Sequence, residues 1–164
     1  MIYNLDKPRL LFLADSRNWA HDFTARSLSL RLSGRFNVSI RYVRDKPDLD
    51  REQFDLLYVA FWGETWHEQF GIPPEKIVKQ VSSHRWELEA KYNRLLPRDF
   101  VRRFLCDCKL VITPSLRLYE AIAPHRDDVF VCPKGFEPGL FHARQRNRGP
   151  LQIGWVGNPG DPCK

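Results

Sequence analysis

Apolar positions along the chain fall in short dense runs separated by longer amphipathic or polar stretches. That spacing predicts strands alternating with helices. Residues 9–15 (RLLFLAD) form a buried strand bounded by Pro8 and a polar loop. Residues 18–33 place Trp19, Phe23, Leu28, Leu30 and Leu32 at roughly helical intervals, with Gly34 as the stop. FNVSIRYV, 36–43, alternates apolar with polar and predicts a strand with one exposed face, near a sheet edge. A single helical turn through Arg51 and Glu52 leads into FDLLYVAFW, 54–62, a second buried strand. Pro73-Pro74 marks a turn before KIVKQVSSH, 76–84, read as the next strand. Residues 97–108 carry Phe100, Val101, Phe104 and Leu105 on one side of a helix with Pro97 in its first turn. LVITPS, 110–115, is a strand ending in an N-cap, Ser115, whose helix Pro124 terminates. DVFVCPKG, 128–135, is a sixth strand, and the turn-rich, basic stretch from 136 to 150 suits a linker. Beyond it LQIGWV reads as a buried strand running into Gly157-Asn158-Pro159-Gly160.

Six strands separated by helical crossovers predict an α/β, Rossmann-like three-layer domain with a mostly parallel sheet. In such sheets ligands bind beyond the carboxyl ends of the strands. The residues there are Asp15, Ser16, Arg17, Asn18 and Trp19; Trp62, Gly63 and Glu64; Ser83, His84, Arg85 and Trp86; Pro114 and Ser115; and Lys134, Gly135, Phe136 and Glu137. Carboxylates and amides beside flat rings suit a carbohydrate, whose hydroxyls need partners and whose ring has an apolar face. His84 has the side chain for a general base or a partner to a substrate hydroxyl; a histidine in that position also caps backbone carbonyls. Asp15 is read first as a cap of the following helix and second as a substrate contact. Packing is the first reading for Trp62, Trp66 and Trp86.

The chain has 164 residues, the length of one domain, and a formal net charge of +6. Its basic residues gather in two windows, Lys91, Arg94, Arg98, Arg102 and Arg103, then Arg144, Arg146 and Arg148. A solvated helix face and a basic linker account for both, and no aromatic-basic alternation points to nucleic acid. Arg98, Arg102 and Arg103 offer a peripheral contact to an anionic membrane, set against a helix that spends its apolar face on the core. The four cysteines form no metal-ligand spacing, so reduced thiols, a cytoplasmic location and no metal are expected. The chain has no G-x-G-x-x-G after its first strand, no G-x-x-x-x-G-K-[ST] and no G-x-S-x-G.

ITPSLRLYEAI, DVFVCPKGFEPGLFHAR and LQIGWVGN together resemble the interdomain passage of family 4 glycosyltransferases of the GT-B fold, and FLADSRNWAHDFTARSLSLRL resembles that family's first strand, loop and helix. Ser115, Gly135, Phe141, Gly154 and Gly157 fall at matching places. The resemblance implies that 1–143 is the acceptor-side domain, 144–150 the linker, and 151–164 the start of a donor-binding domain. It implies a retaining transferase moving a sugar from a nucleotide-sugar donor to a glycan, lipid-linked or small-molecule acceptor, without a metal or other cofactor. His84 then stands at the reacting centre. Asp15, Ser16, Arg17, Asn18, Trp19, Arg85, Ser115, Lys134 and Glu137 bind the acceptor, and Gly157 with Asn158 approaches the donor phosphates. Two departures stand out: Lys134 replaces the family's common Asn, and Ser16-Arg17-Asn18-Trp19 replaces a Gly-rich loop. Residues 1–164 are expected to be inactive alone. A non-catalytic binding module for a phosphorylated or glycan ligand, and part of a GT-B-fold sugar-nucleotide epimerase, are the alternatives.

Overall fold

The computed structural model describes residues 7–135, apart from the Lys91 side chain. Six strands form one all-parallel sheet in the order β2-β1-β3-β4-β5-β6. They are β1 (Arg9–Ala14), β2 (Asn37–Tyr42), β3 (Leu56–Val59), β4 (Ile77–Gln80), β5 (Leu110–Thr113) and β6 (Val129–Val131). Helix α1 (Ala20–Leu32) joins β1 to β2; α2 (Arg85–Leu88) and α3 (Pro97–Phe104) lie between β4 and β5; α4 (Leu116–Ile122) joins β5 to β6. The α/β class and the edge position of β2 agree with the sequence pattern. β4 is shorter than expected: it ends at Gln80, leaving 81–84 without regular structure before α2, with His84 as that helix's N-cap residue.

The pleat divides the core in two. Leu10 and Phe12 of β1 pack with Val38 of β2 and Ala25 of α1, with Leu28, Leu32, Leu56 and Tyr58 around them. On the other face Leu11, Leu13, Leu57, Val59, Ile77, Val111 and Val129 meet Phe100, Val101 and Leu105 near α3 and Leu118 and Ile122 of α4. Helix α3 matches the amphipathic pattern. Helix α1 does not: Trp19, Phe23 and Leu30 are exposed, and the positions it buries are Asp22 and Ala25, with Leu28 and Leu32 partly covered. A carboxylate defines the inward stripe, which hydrophobicity alone misplaces. Asp22 is buried because three donors satisfy it: the Asn18 N–H at 2.7 Å, Arg26 Nε at 2.8 Å and Tyr42 Oη at 2.8 Å.

A second buried charge sits across the sheet. Lys79 of β4, 1% exposed, lies between Val59 and Val111 in register. Its ammonium donates to Asp107 Oδ1 at 2.7 Å and to the Phe104 carbonyl at 2.9 Å, and His67 Nε2 lies 3.1 Å from Asp107 Oδ2. Trp62 and Trp86 are fully buried, Trp62 edge-on to Trp86 and Phe100, and Trp86 stacked on Phe100 at 3.9 Å. They pack, as expected first; Trp66 is half-buried and donates from Nε1 to the Pro47 carbonyl. Among the described residues no helix is long and apolar enough to cross a membrane.

Candidate functional site at the carboxyl ends of the strands

The strand order reverses between β1 and β3: β2 was laid down on one side of β1, and every later strand on the other. The crevice of a doubly wound sheet opens above that point. The segments leaving that end of the sheet are 15–19 after β1, 60–64 after β3, 81–86 after β4, 114–117 after β5 and 132–134 after β6.

Asp15 does not cap α1. The N-cap is Trp19, with no side-chain bond, and Asp22 takes the loop N–H instead. Freed from that task, Asp15 faces His21: its Oδ1 lies 3.4 Å from His21 Nδ1. That is ion-pair range without hydrogen-bond geometry, and both atoms are buried with no hydrogen-bond partner. The His21 ring stacks on Phe61 with centroids 6.3 Å apart, and the Arg85 guanidinium lies 5.9 Å from the Phe61 centroid on the β4 side. Burial lowers the His21 pKa below the ordinary histidine value; Asp15 opposes this and the Lys134 charge adds to it. The imidazole is neutral at pH 7.

His84 stands at the N-cap of α2 with 18% of its side chain exposed. Neither ring nitrogen has a hydrogen-bond partner, although both are buried. It caps no carbonyl. Its Nδ1 lies 3.5 Å from Glu87 Oε2, and its ring is 5.0 Å from that of Trp86. Burial again depresses its pKa, Arg117 adds to the depression and Glu87 works against it.

The other sequence candidates divide. Arg17 turns toward the β2 edge, paired to Asp45 at 2.6 Å with its guanidinium 4.5 Å from the Tyr42 centroid. Asn18 has φ 58°, a left-handed conformation that Asn tolerates, and makes the bend delivering its N–H to Asp22. Ser16 is half-buried and Trp19 exposed. Arg85 bonds Glu89. Ser115 is the N-cap of α4, accepting from the Leu118 N–H at 3.4 Å, so its hydroxyl is engaged in structure. Lys134 is exposed within electrostatic reach of His21. Glu137, Gly157 and Asn158 lie outside the described residues, as do the linker and the last strand. His21 escaped the sequence reading because it lies inside α1, away from the strand-end segments. Its position six residues after a strand-end carboxylate, in the first turn of the following helix, was the available signal.

Among the described residues seven buried side-chain atoms lack a hydrogen-bond partner. Six belong to this end of the sheet: Asp15 Oδ1, His21 Nδ1, Trp62 Nε1, both ring nitrogens of His84 and Trp86 Nε1. Buried polar groups are normally satisfied, so such a concentration marks where a ligand or ordered water completes the structure. The contrast is a hollow of about 660 Å³ running along β2 from the start of β1, lined by Arg9, Asn37, Arg41, Glu52 and Asp55 among others. There Arg9 pairs with Asp55 at 3.0 Å and Arg41 with Glu52 at 2.5 Å, so those charges already have partners. His67, Glu68 and Asp107 have ligand atoms within 4.8 Å of one another. They hold no vacancy for a metal, because the Lys79 ammonium is already the cation on Asp107.

Neither the known protein-family models nor the curated proteins include a match to this chain.

Proposed function

We propose that this domain is the acceptor-binding half of a retaining glycosyltransferase, whose complete form moves a sugar from a nucleotide-sugar donor to a hydroxyl-bearing acceptor. The observation that carries the reading is the set of orphaned polar atoms of Asp15, His21 and His84 at the carboxyl ends of the strands. A sugar hydroxyl both donates and accepts. A neutral imidazole needs one partner of each kind, and His84 has neither. Asp15 adds an acceptor and Arg85 a guanidinium at the rim. On this reading His84 is the group at the reacting centre; with its pKa lowered by burial it is an uncharged hydrogen-bonding group at pH 7. In the complete enzyme the acceptor oxygen attacks the donor's anomeric carbon on the face the diphosphate leaves, and electrostatic contacts stabilise the departing charge.

Saturation-transfer NMR on the 164-residue chain tests this, with monosaccharides, sugar phosphates and nucleotide sugars as probes. Acceptor-type sugars should register at millimolar concentration, and His84→Ala should abolish their signals while leaving the melting temperature within a few degrees. A panel in which no sugar binds, or in which His84→Ala binds as the parent does, refutes the reading.

A further inference from the structure

The Asp15–His21 pair has an inner and an outer side. On the inner side Asp15 Oδ1 and His21 Nδ1, both buried, face each other at 3.4 Å with no hydrogen-bond partner. On the outer side Asp15 Oδ2 and His21 Nε2 also lack hydrogen-bond partners among the described residues, but neither atom is buried. The Asp15 and His21 side chains are 33% and 15% exposed. A carboxylate only accepts hydrogen bonds, and a neutral imidazole has one donor nitrogen and one acceptor. Two bare acceptors 3.4 Å apart and away from water would repel, so the imidazole proton belongs on Nδ1, turned toward Oδ1. Nε2 is then an open lone pair. Neighbouring contacts hold this arrangement. The Asp15 carbonyl accepts from the Arg44 N–H at 3.1 Å, and Asp22 ties the first turn of α1 to the Asn18 N–H. The Phe61 ring that stacks on His21 lies against the bare Cα of Gly63.

We propose that Asp15 and His21 work as one unit that receives two hydroxyls of a neutral sugar or polyol. Asp15 Oδ1 keeps the proton on Nδ1, and Asp15 Oδ2 and His21 Nε2 are the two acceptors offered to the ligand. That these hydroxyls belong to a sugar acceptor rests on the transferase reading; the tautomer does not. The two open atoms sort ligands by polarity. An anion brings no proton to either acceptor and meets the Asp15 charge, so carboxylates and phosphates are disfavoured here. An ammonium donates but has no lone pair to offer in return. A hydroxyl does both, and the Arg85 guanidinium, 5.9 Å from the centroid of the same Phe61 ring, is the neighbouring donor for its lone pairs. His21 is thus a ligand-contact residue, and Asp15 both touches the ligand and sets which way His21 bonds.

Long-range nitrogen–proton NMR of the imidazoles in the 164-residue chain at pH 7.5 tests the unit before any ligand is added. His21 should carry its proton on Nδ1, the reverse of a free imidazole in water, and Asp15→Asn should move it toward Nε2. Methyl glucoside, glucuronate and methylammonium are then titrated as the neutral, anionic and cationic probes. Methyl glucoside should shift the Nε2 resonance and bind best of the three. His21→Phe keeps a ring on Phe61 and should weaken that binding about fivefold, the value of one neutral hydrogen bond. A proton found on Nε2, or a tautomer indifferent to Asp15→Asn, overturns the pairing. Glucuronate or methylammonium binding more tightly than methyl glucoside overturns the ligand class. Methyl glucoside binding that depends on His84 but is unchanged in His21→Phe overturns the unit and leaves the transferase reading standing. Failure of the neutral sugar to bind at all removes the ligand assignment together with that reading, whatever the tautomer.

Discussion

Removing Asp107 should damage the fold far more than removing its partner Lys79. The lysine is 1% exposed and the carboxylate 30%. In Asp107→Ala the ammonium remains between Val59 and Val111 with the Phe104 carbonyl as its remaining acceptor. A buried charge stripped of its partner costs about 3–5 kcal/mol. Lys79→Met instead removes the charge, keeps the stem volume, and leaves a carboxylate that still has His67 and some solvent, for a cost of about 0–2 kcal/mol. Urea unfolding should therefore show Asp107→Ala less stable than Lys79→Met by at least about 1 kcal/mol. The double variant should recover much of the difference. Acid supplies a second reading. Burial alone would raise the Asp107 pKa, but the hydrogen bonds from His67 and Lys79 outweigh it and bring it down to about 2. A folded value below the unfolded one gives stability that is present above about pH 4 and lost as pH falls toward 2. Partial exposure limits that loss to about 1–2 kcal/mol, and Lys79→Met should shrink it. Equal costs for the two single variants, or an acid loss indifferent to Lys79, would refute the buried-pair argument.

Asp22→Ala should destabilise by about 2 kcal/mol by orphaning the Tyr42 hydroxyl and the Asn18 N–H, and should raise protease cleavage in the 15–19 loop. The Asp22 pKa is lowered although burial opposes it, because Arg26, the Asn18 N–H and Tyr42 all donate to the carboxylate. Its stabilisation is thus present above the unfolded carboxylate pKa and lost on acidification, measurable as a pH-dependent melting temperature that Asp22→Ala flattens below pH 4. Gly63→Ala should disturb the crevice from behind, since an added Cβ would lie 2.9 Å from Phe61 Cε1 and 3.2 Å from Tyr92 Oη. We expect about 1 kcal/mol of destabilisation and a shifted His21 imidazole resonance; an unmoved resonance would show that Phe61 does not hold that ring.

The strand pattern was legible because a parallel sheet buries both faces, and runs such as RLLFLA and FDLLYV have no other reading at that length. The cap at Ser115 and the first-turn proline at Pro97 were legible because they depend on local chemistry alone. Helix α1 was not. Its inward face is organised by Asp22, whose three donors come from its own turn, the preceding loop and β2, and no local pattern reports that a carboxylate will be buried. His84 and Asp15 were found because topology alone brings strand ends together. His21 was missed because its place depends on the rotation of α1, and that rotation is what Asp22 fixes.

This dependence gives Asp22 a part in the site without any ligand contact. Asn18, bent back with φ 58°, hands its N–H to Asp22, while Arg26 and the Tyr42 hydroxyl grip the same carboxylate from α1 and β2. The loop, the helix and the edge strand are locked at one buried point adjacent in sequence to His21. The His21 ring is then set between Asp15 and Phe61 by backbone that cannot rotate without breaking all three bonds. The chain has thus spent its buried charges in two ways. The Asp107–Lys79–His67 group closes on itself and needs nothing further apart from one His67 ring nitrogen. The Asp22 group is equally closed, yet it holds an imidazole one residue away whose own partners are missing. Rigid satisfaction beside deliberate incompleteness is the arrangement that a preorganised binding site requires, because the cost of ordering its groups is met on folding and not on binding.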